Sequence, residues 1–158
     1  MVRSDIVNNA DQQKYRNILS TCAMYNLRRL SRLTTNSLNR ALLPTGMRCT
    51  QYSIMLAAGA RPGSTMTALS EYLGMDISTL TRSCENLGQL GFLRFKSGKN
   101  REKLVYLTEA GAEKTAESFP IWEKEQKKFI DAFGKKAWED FLTAIEKYNT
   151  AEEKKAAE

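Results

Sequence analysis

Residues 65–91 constrain the fold of this chain more than any other segment, because they contain two helix starts separated by one short turn. Ser64 or Thr65 has the side chain of an N-cap, and Gly74 supplies the left-handed residue that ends the first helix. Asp76 then caps a second helix. The segment therefore predicts a helix-turn-helix with a turn of about three or four residues.

The second predicted helix has an apolar face and a polar face. Its apolar side chains follow one another at offsets of three and four residues and are expected to be buried: Ile77, Leu80, Cys84 and Leu87. Hydroxyls, amides and a guanidinium group on its remaining surface are suited to base edges and phosphates. We therefore predict DNA contacts from five of these side chains: Ser78, Thr79, Thr81, Arg82 and Asn86.

A basic β-hairpin is expected directly after this helix. Residues 92–96 and 103–107 alternate apolar with polar side chains, and the sequence SGKNRE between them contains turn residues. A helix-turn-helix followed by such a hairpin is typical of a winged helix, in which the second helix enters the major groove and the wing reaches phosphates or the minor groove. We therefore add Lys99 and Arg101 to the predicted DNA contacts.

Long amphipathic helices are predicted on both sides of this core. Residues 10–33 and 109–150 have apolar side chains at helical spacing, and Gly134 divides the second run. Because these helices have more apolar surface than a small core can cover, we expect a homodimer in which they cover one another. The fold class is mainly α with a small β-hairpin wing: an N-terminal dimerisation region at 10–43, a winged helix-turn-helix core at 47–108 and C-terminal dimerisation helices at 109–150.

The charge of the chain favours an acidic partner such as double-stranded DNA. Its 158 residues include 24 Lys and Arg against 18 Asp and Glu, a formal net charge of +6. Residues 1–64 contain nine basic and two acidic side chains, whereas residues 109–158 contain nine and twelve. Because positive charge alone gives affinity without sequence preference, a non-specific architectural DNA-binding protein is an alternative.

The chain has no histidine and three cysteines. Without histidine it cannot form a Ser-His or Cys-His nucleophile, so we expect no catalytic residues and no enzyme. The cysteine spacing fits neither a disulfide framework nor a four-ligand zinc site, so we expect no metal, no cofactor and a cytoplasmic location. The longest apolar stretch, residues 54–60, is far shorter than the roughly 20 residues that span a bilayer, and the polar start lacks the apolar region of a signal peptide. We expect a soluble, unexported protein with no membrane partner.

The order of these segments resembles the MarR family of bacterial transcriptional regulators. The resemblance covers residues 10–148 and rests on three stretches: TQYSIML, ALSEYLGMDISTLTRSCENLGQLGFLRF and VYLTEAG. It implies a winged-helix homodimer that represses transcription by binding short palindromes and is released by small phenolic or lipophilic ligands or by oxidation.

The resemblance also assigns DNA-binding residues. Ser78, Thr79 and Arg82 occupy the recognition-helix face that the family uses in the major groove. Arg101 matches the arginine of the family's wing motif Asp-x-Arg, whereas Lys99 stands at the aspartate position. Because the carboxylate that steadies the wing arginine is missing, we expect a more mobile or more purely electrostatic wing.

An effector site is a further implication of the resemblance. We predict a pocket for a small aromatic or anionic effector, formed by Met24, Arg28, Tyr52 and Trp122. Arg28 could instead form salt bridges at the dimer junction, and Trp122 could pack in the core. The reactive cysteine of the family's peroxide-sensing branch aligns with Met24, so Cys22 is either the thiol of another kind of redox sensor or a packed, inert side chain.

Overall fold

The computed structural model describes residues 9–156, without the side chains at positions 100, 152, 153, 155 and 156. Within that range the chain forms seven α-helices: α1 (Asn9–Thr21), α2 (Ala23–Leu42), α3 (Cys49–Ala60), α4 (Met66–Leu73), α5 (Ile77–Gln89), α6 (Glu109–Phe133) and α7 (Lys135–Ala156). The strands of one antiparallel sheet are β1 (Ser64–Thr65), β2 (Leu93–Ser97) and β3 (Lys103–Leu107). The mainly α fold with a small hairpin is therefore confirmed.

None of the helices within residues 9–156 is long and apolar enough to cross a membrane. Residues 1–8, which form most of the polar start that argued against a signal peptide, lie outside the described residues. The described chain divides into two compact units, one ending at Ser37 and the other starting at Leu38.

In the first unit, the helix predicted over residues 10–33 is interrupted at Cys22, which separates α1 from α2. Helical hydrogen bonds still pass through this residue, since the Cys22 N–H donates to the Ile18 carbonyl (2.9 Å) and the Asn26 N–H donates to the Cys22 carbonyl (3.0 Å). The side-chain NH₂ of Asn26 shares its two hydrogens among three carbonyl oxygens, those of Leu19 (3.0 Å) and Ser20 (3.3 Å) in the last turn of α1 and that of Cys22 (2.9 Å). A side chain inserted among helix carbonyls is one of the usual causes of a break.

The second unit contains the predicted helix-turn-helix. The Thr65 hydroxyl accepts a hydrogen bond from the Ala68 backbone N–H and caps α4, and Gly74 ends this helix with a φ of 60°. Asp76 caps α5. The turn is therefore the three residues from Gly74 to Asp76, as the sequence predicts.

The core of the second unit lies between α3, α4, α5 and the sheet. Thirteen hydrophobic side chains are buried there: Leu42, Met47, Tyr52, Ile54, Met55, Ala57, Ala58, Leu69, Leu80, Cys84, Leu87, Leu93 and Val105. Phe92, which was expected to open the first strand of the hairpin, precedes β2 and packs against this core. Leu93, buried to 3% exposure, is the first residue of the strand.

The hairpin formed by β2 and β3, with the residues between them, is the wing (Leu93 to Leu107). Phe95 pairs with Val105 in its antiparallel register. On the other side of β3, β1 adds a third strand, with Ser64 opposite Val105. Sequence analysis missed β1, because two residues are too few to show an alternating pattern.

A tight junction joins the end of α5 to the start of α6. The Thr108 hydroxyl donates to the carbonyl oxygens of Gly91 (2.7 Å) and Phe92 (3.1 Å) and accepts from the Gly111 backbone N–H (3.0 Å), so it caps α6. The Thr108 backbone N–H also donates to the Phe92 carbonyl (3.0 Å). A Cβ at Gly111 would lie only 2.3 Å from the Phe92 oxygen. These four residues, Gly91, Phe92, Thr108 and Gly111, form what we call the α5–α6 junction.

The C-terminal helices pack through aromatic side chains on either side of Gly134, whose φ is 91°. The ring of Trp138 lies edge-on to Phe129 at 5.1 Å and to Phe133 at 5.7 Å, distances typical of stabilising aromatic pairs. The predicted break at Gly134 is confirmed, whereas α6 continues through Pro120.

We expect Gly111→Ala to lower the free energy of unfolding by about 1 to 3 kcal/mol, because the added methyl group meets a backbone oxygen that cannot move without breaking the junction. The same change in an unhindered helix would instead stabilise the protein by about 0.5 to 1 kcal/mol. Urea denaturation at equal protein concentration measures the difference. Ala112→Ser, at the exposed next position, is the control and is expected to change stability by less than about 0.5 kcal/mol; a stabilised Gly111→Ala would contradict the tight junction.

Candidate nucleic-acid interface

Helix α5 is fixed about its axis by the side chains that it buries. Leu80, Cys84 and Leu87 have no solvent exposure, as their spacing predicts. The prediction that Ile77 is also buried is wrong, since its side chain is 44% exposed. Ile77 is the first residue of α5 and precedes the part of the helix that lies on the core. The polar face of α5 therefore points away from the core along the rest of the helix.

The predicted contact residues of α5 lie on this polar face. Ser78, Thr79, Arg82 and Asn86 are exposed, and Thr81 is half-buried. The Thr81 hydroxyl donates to the Ile77 carbonyl oxygen at 2.7 Å, which leaves its lone pairs for a partner. No acidic side chain pairs with Arg82 among the residues that the structure describes. Its guanidinium group is therefore available to an anionic or hydrogen-bond-accepting ligand.

Asp76 organises the start of this face. Its carboxylate accepts hydrogen bonds from the backbone N–H groups of Ser78 (2.9 Å) and Thr79 (3.1 Å), and also from the Ser78 hydroxyl. The Ser78 hydroxyl and these two backbone donors hold the pKa of Asp76 below its ordinary value of 3.8. Because the Ser78 proton is used on Asp76, Ser78 offers acceptor lone pairs to a ligand.

Asn86, near the other end of α5, is connected to a different helix. Its side-chain oxygen accepts a hydrogen bond from the side-chain amide of Gln51 at 3.1 Å. The Gln51 oxygen in turn accepts from the Arg48 backbone N–H at 2.9 Å, at the start of α3. Sequence analysis missed Gln51, because the two amides are 35 residues apart and no local pattern joins them.

The tip of the wing presents Lys99 and Arg101, both exposed, on a short 3-10 turn. Arg101 has a φ of 62°, a left-handed conformation that is uncommon for a residue other than glycine. Among the described residues, neither side chain forms an ion pair, which agrees with the missing carboxylate at position 99.

Other basic side chains of the wing lie over aromatic rings. Arg94 lies 4.7 Å from the centre of the Tyr106 ring, and Lys103 lies 4.2 Å from that of Phe95. Lys103 also forms an ion pair with Glu85 of α5 at 3.7 Å. These contacts orient the cations and connect the wing to α5, although the half-exposed ion pair is expected to add little stability in salt.

The predicted effector residues fall in both units. Met24 (65% exposed) and Arg28 belong to the first unit, where Leu27, Arg28, Ser31 and Arg32 line an open groove of about 450 Å³ on α2. In the second unit, Tyr52 is buried, and its hydroxyl has no hydrogen-bond partner among the described residues. Burial raises the pKa of Tyr52.

Trp122, the last predicted effector residue, is partly buried against the core and lies 5.7 Å from the ring of Phe119.

Of the three cysteines, Cys22 is half-buried at the break between α1 and α2. Burial raises the pKa of Cys49, and it raises the pKa of Cys84 to about 11, which makes the Cys84 thiol unreactive. Within residues 9–156, no cluster of three acidic or cysteine side chains is arranged to bind a metal.

Comparison with known proteins identifies transcriptional regulators. No protein-family model matches the chain. It is 30% identical to the M. tuberculosis transcriptional regulator MosR, solved in complex with DNA, over 84% of this chain and 96% of MosR, with a TM-score of 0.73. A MarR-family regulator from Rhodococcus sp. RHA1 has a TM-score of 0.73 at 20% identity, covering 80% of this chain and 91% of that one. The uncharacterized HTH-type transcriptional regulator YwoH of Bacillus subtilis (strain 168) is 27% identical over 95 residues, which are 60% of this chain and 69% of YwoH.

The Asp76 cap is expected to stabilise the protein more at neutral pH than in acid. Because the pKa of Asp76 is lower in the folded state than its ordinary 3.8, its contribution is fully present above that pH and is lost as the pH falls through the folded value. Asp76→Asn retains an acceptor for the cap but has no titrating charge. We expect the Tm of the unmodified protein to exceed that of Asp76→Asn at neutral pH, and the difference to shrink in acid. A difference that stays constant in acid, measured by circular dichroism, would contradict this.

Proposed function

This chain belongs to the MarR family of transcriptional regulators, and we propose that it is a homodimeric repressor that binds a pseudo-palindromic operator in double-stranded DNA. One observation supports the proposal most directly. The exposed polar face of α5 has near its centre Arg82, which forms no ion pair with the described residues, and this face lies beside a wing rich in oriented cations. A face of this composition is suited to base edges, and the cations beside it are suited to phosphates.

Each predicted contact then has a role that follows from its chemistry. Arg82 donates two hydrogen bonds to a guanine in the major groove, the commonest specific contact of arginine with DNA. Ser78, Thr79 and Thr81 bind base edges or phosphates near the start of α5. Lys99 and Arg101 reach phosphates or the minor groove from the wing tip. In a dimer, the two copies of α5 lie about 34 Å apart, one turn of DNA.

The proposal of a dimer rests on apolar side chains that the described chain leaves exposed. The first unit exposes seven of them: Tyr15, Ile18, Leu19, Met24, Tyr25, Leu27 and Leu33. Helix α7 exposes Leu142, Ile145 and Tyr148 at helical spacing. Extended apolar surfaces of this kind mark protein interfaces, and a second copy of the chain supplies matching surfaces across a two-fold axis.

We further propose that a small aromatic or anionic effector releases the operator. The groove on α2 supports this, since Arg28 and Arg32 supply positive charge and Leu27 supplies an apolar wall. An effector acts in this way only if it binds one arrangement of the dimer more tightly than the other. A redox role for Cys22 stays a prediction, and no observation on its surroundings favours it as a second function.

Selection of bound sequences from a random DNA pool at stated salt tests the proposal. We expect a pseudo-palindrome with half-sites one helical turn apart, bound roughly 10³-fold or more tightly than random duplex. An architectural protein would instead be displaced equally well by random DNA. That outcome would reject the assignment of a sequence-specific regulator.

Two substitutions are expected to affect operator binding in different ways. Arg82→Ala should weaken the free energy of operator binding by about 1 to 3 kcal/mol and relax the preference at one base pair of each half-site. Lys99→Ala, the control for loss of a positive charge, should weaken binding to all sequences alike and reduce the salt slope by about one. Fluorescence anisotropy titrations at several salt concentrations measure both effects. Unchanged operator binding by Arg82→Ala would show that α5 is not the recognition helix.

Ile145→Asp is expected to dissociate the dimer, because it places a charge in the apolar stripe of α7. A monomer has one recognition helix instead of two, so operator affinity should fall by at least about 100-fold. Sedimentation velocity and anisotropy measure the two changes, with circular dichroism to show that the helices persist. Thr143→Asp, which adds the same charge at an exposed polar position on the opposite face of α7, should leave the dimer intact. An Ile145→Asp protein that stays dimeric would contradict the proposed interface.

A further inference from the structure

A series of three hydrogen-bonding groups leads from the backbone of one helix to the surface of another. It starts at the Arg48 N–H at the N-terminus of α3, passes through the side-chain amide of Gln51 and ends at the side-chain amide of Asn86 on the polar face of α5. Both Gln51 and Asn86 belong to the second unit, and the side chain of Asn86 is exposed.

The Arg48 N–H, the first group of this series, decides which way each side-chain amide faces. A backbone N–H only donates, so the Gln51 oxygen must face Arg48 and the Gln51 NH₂ must face Asn86. The Gln51 NH₂ only donates as well, so it requires the oxygen of Asn86. The NH₂ of Asn86 therefore points away from Gln51. Because the orientation of each amide follows from its neighbour, Asn86 cannot reverse its oxygen and nitrogen without losing the bond to Gln51.

We propose that Gln51 is a positioning residue that makes Asn86 a hydrogen-bond donor toward DNA. This inference rests on the proposed function of α5 as the recognition helix. A donor selects an acceptor, which is the O6 or N7 of a guanine, the N7 of an adenine, the O4 of a thymine, or a phosphate oxygen. The hydrogen bond from Gln51 uses one lone pair of the Asn86 oxygen and holds that oxygen on the side of α3. The NH₂ group is therefore the part of Asn86 offered to DNA, so a group that only donates, such as the amino group of a cytosine, does not match it.

The substitution Gln51→Glu tests the inference, because it reverses the direction of the hydrogen bond between position 51 and Asn86. A glutamate at this position still accepts from the Arg48 N–H, a favourable arrangement in the first turn of a helix, so the variant is expected to fold. It cannot donate to Asn86. Asn86 must then turn its NH₂ toward position 51 and present its oxygen to the DNA.

The experiment uses the full chain and the operator selected as described above. Affinities are measured for duplexes with each base pair replaced in turn, and for duplexes with each phosphate replaced in turn by a neutral methylphosphonate. The contact of Asn86 is the base pair or phosphate whose replacement no longer matters in Asn86→Ala. Base replacement and phosphate replacement thus distinguish the two sources of the acceptor.

We expect Gln51→Glu to lower the discrimination at that contact by about tenfold. Thr50→Glu is the matched control, because it adds the same charge in the same turn of α3 at an exposed position. It should weaken all duplexes by a similar factor and leave the discrimination unchanged, since discrimination is a ratio of two affinities of one variant. In the free protein, Gln51→Ala should shift the side-chain amide resonances of Asn86 in the ¹⁵N–¹H NMR spectrum.

Three results would overturn the inference. They are full discrimination at the contact in Gln51→Glu, the amino group of a cytosine as the group that Asn86 contacts, and an Asn86→Ala protein that discriminates at every position as before. If Arg82→Ala still weakens operator binding, these results reject only the role of Gln51 and leave the proposed function intact. If the unmodified protein selects no site, or Arg82→Ala binds unchanged, the proposed function fails and the inference falls with it.

Discussion

The whole candidate interface depends on how α5 is rotated about its own axis. Three of its side chains, Leu80, Cys84 and Leu87, are excluded from solvent and fit into the core between α3, α4 and the sheet. Each residue advances a helix by about 100°, so these positions decide which other positions face outward. A rotation by one residue would expose these apolar side chains and turn polar ones, such as Thr81 and Glu85, into the core, which would destabilise the domain. The core thus determines which face of α5 is exposed to solvent.

Most of the fold of the second unit follows from local signals that can be read in the sequence. The ends of α4 and α5 are specified by Thr65, Gly74 and Asp76, each of which satisfies backbone groups within its own turn. Features that depend on distant partners could not be predicted in this way. β1 exists only because two residues meet β3. The interruption at Cys22 involves a near neighbour, Asn26, but apolar spacing does not show that its amide bonds to the preceding carbonyls. Ile77 follows the apolar spacing of α5 but extends beyond the edge of the core, which spacing alone cannot indicate.

The candidate site likewise has features that the sequence predicts and features that it does not. The exposure of Ser78, Thr79, Arg82 and Asn86 follows from helical periodicity and was predictable. The contacts that orient these groups were not, because Gln51 reaches Asn86 and Lys103 reaches Glu85 only after separate elements have packed. Sequence therefore indicates which side chains are offered to a ligand. The packed structure adds which hydrogen-bonding groups remain for that ligand.

The α5–α6 junction also explains the stretch LTEAG in physical terms. Thr108 is needed for its hydroxyl, which both caps α6 and binds two carbonyls before β2, and Gly111 is needed because any larger side chain meets the Phe92 oxygen. These hydrogen bonds hold the Thr108 hydroxyl against the carbonyl oxygens of Gly91 and Phe92, so the start of α6 is tied directly to residues 91 and 92. Because residues 91 and 92 closely follow α5, we expect a tilt of the first turn of α6 to displace the C-terminal end of α5 as well.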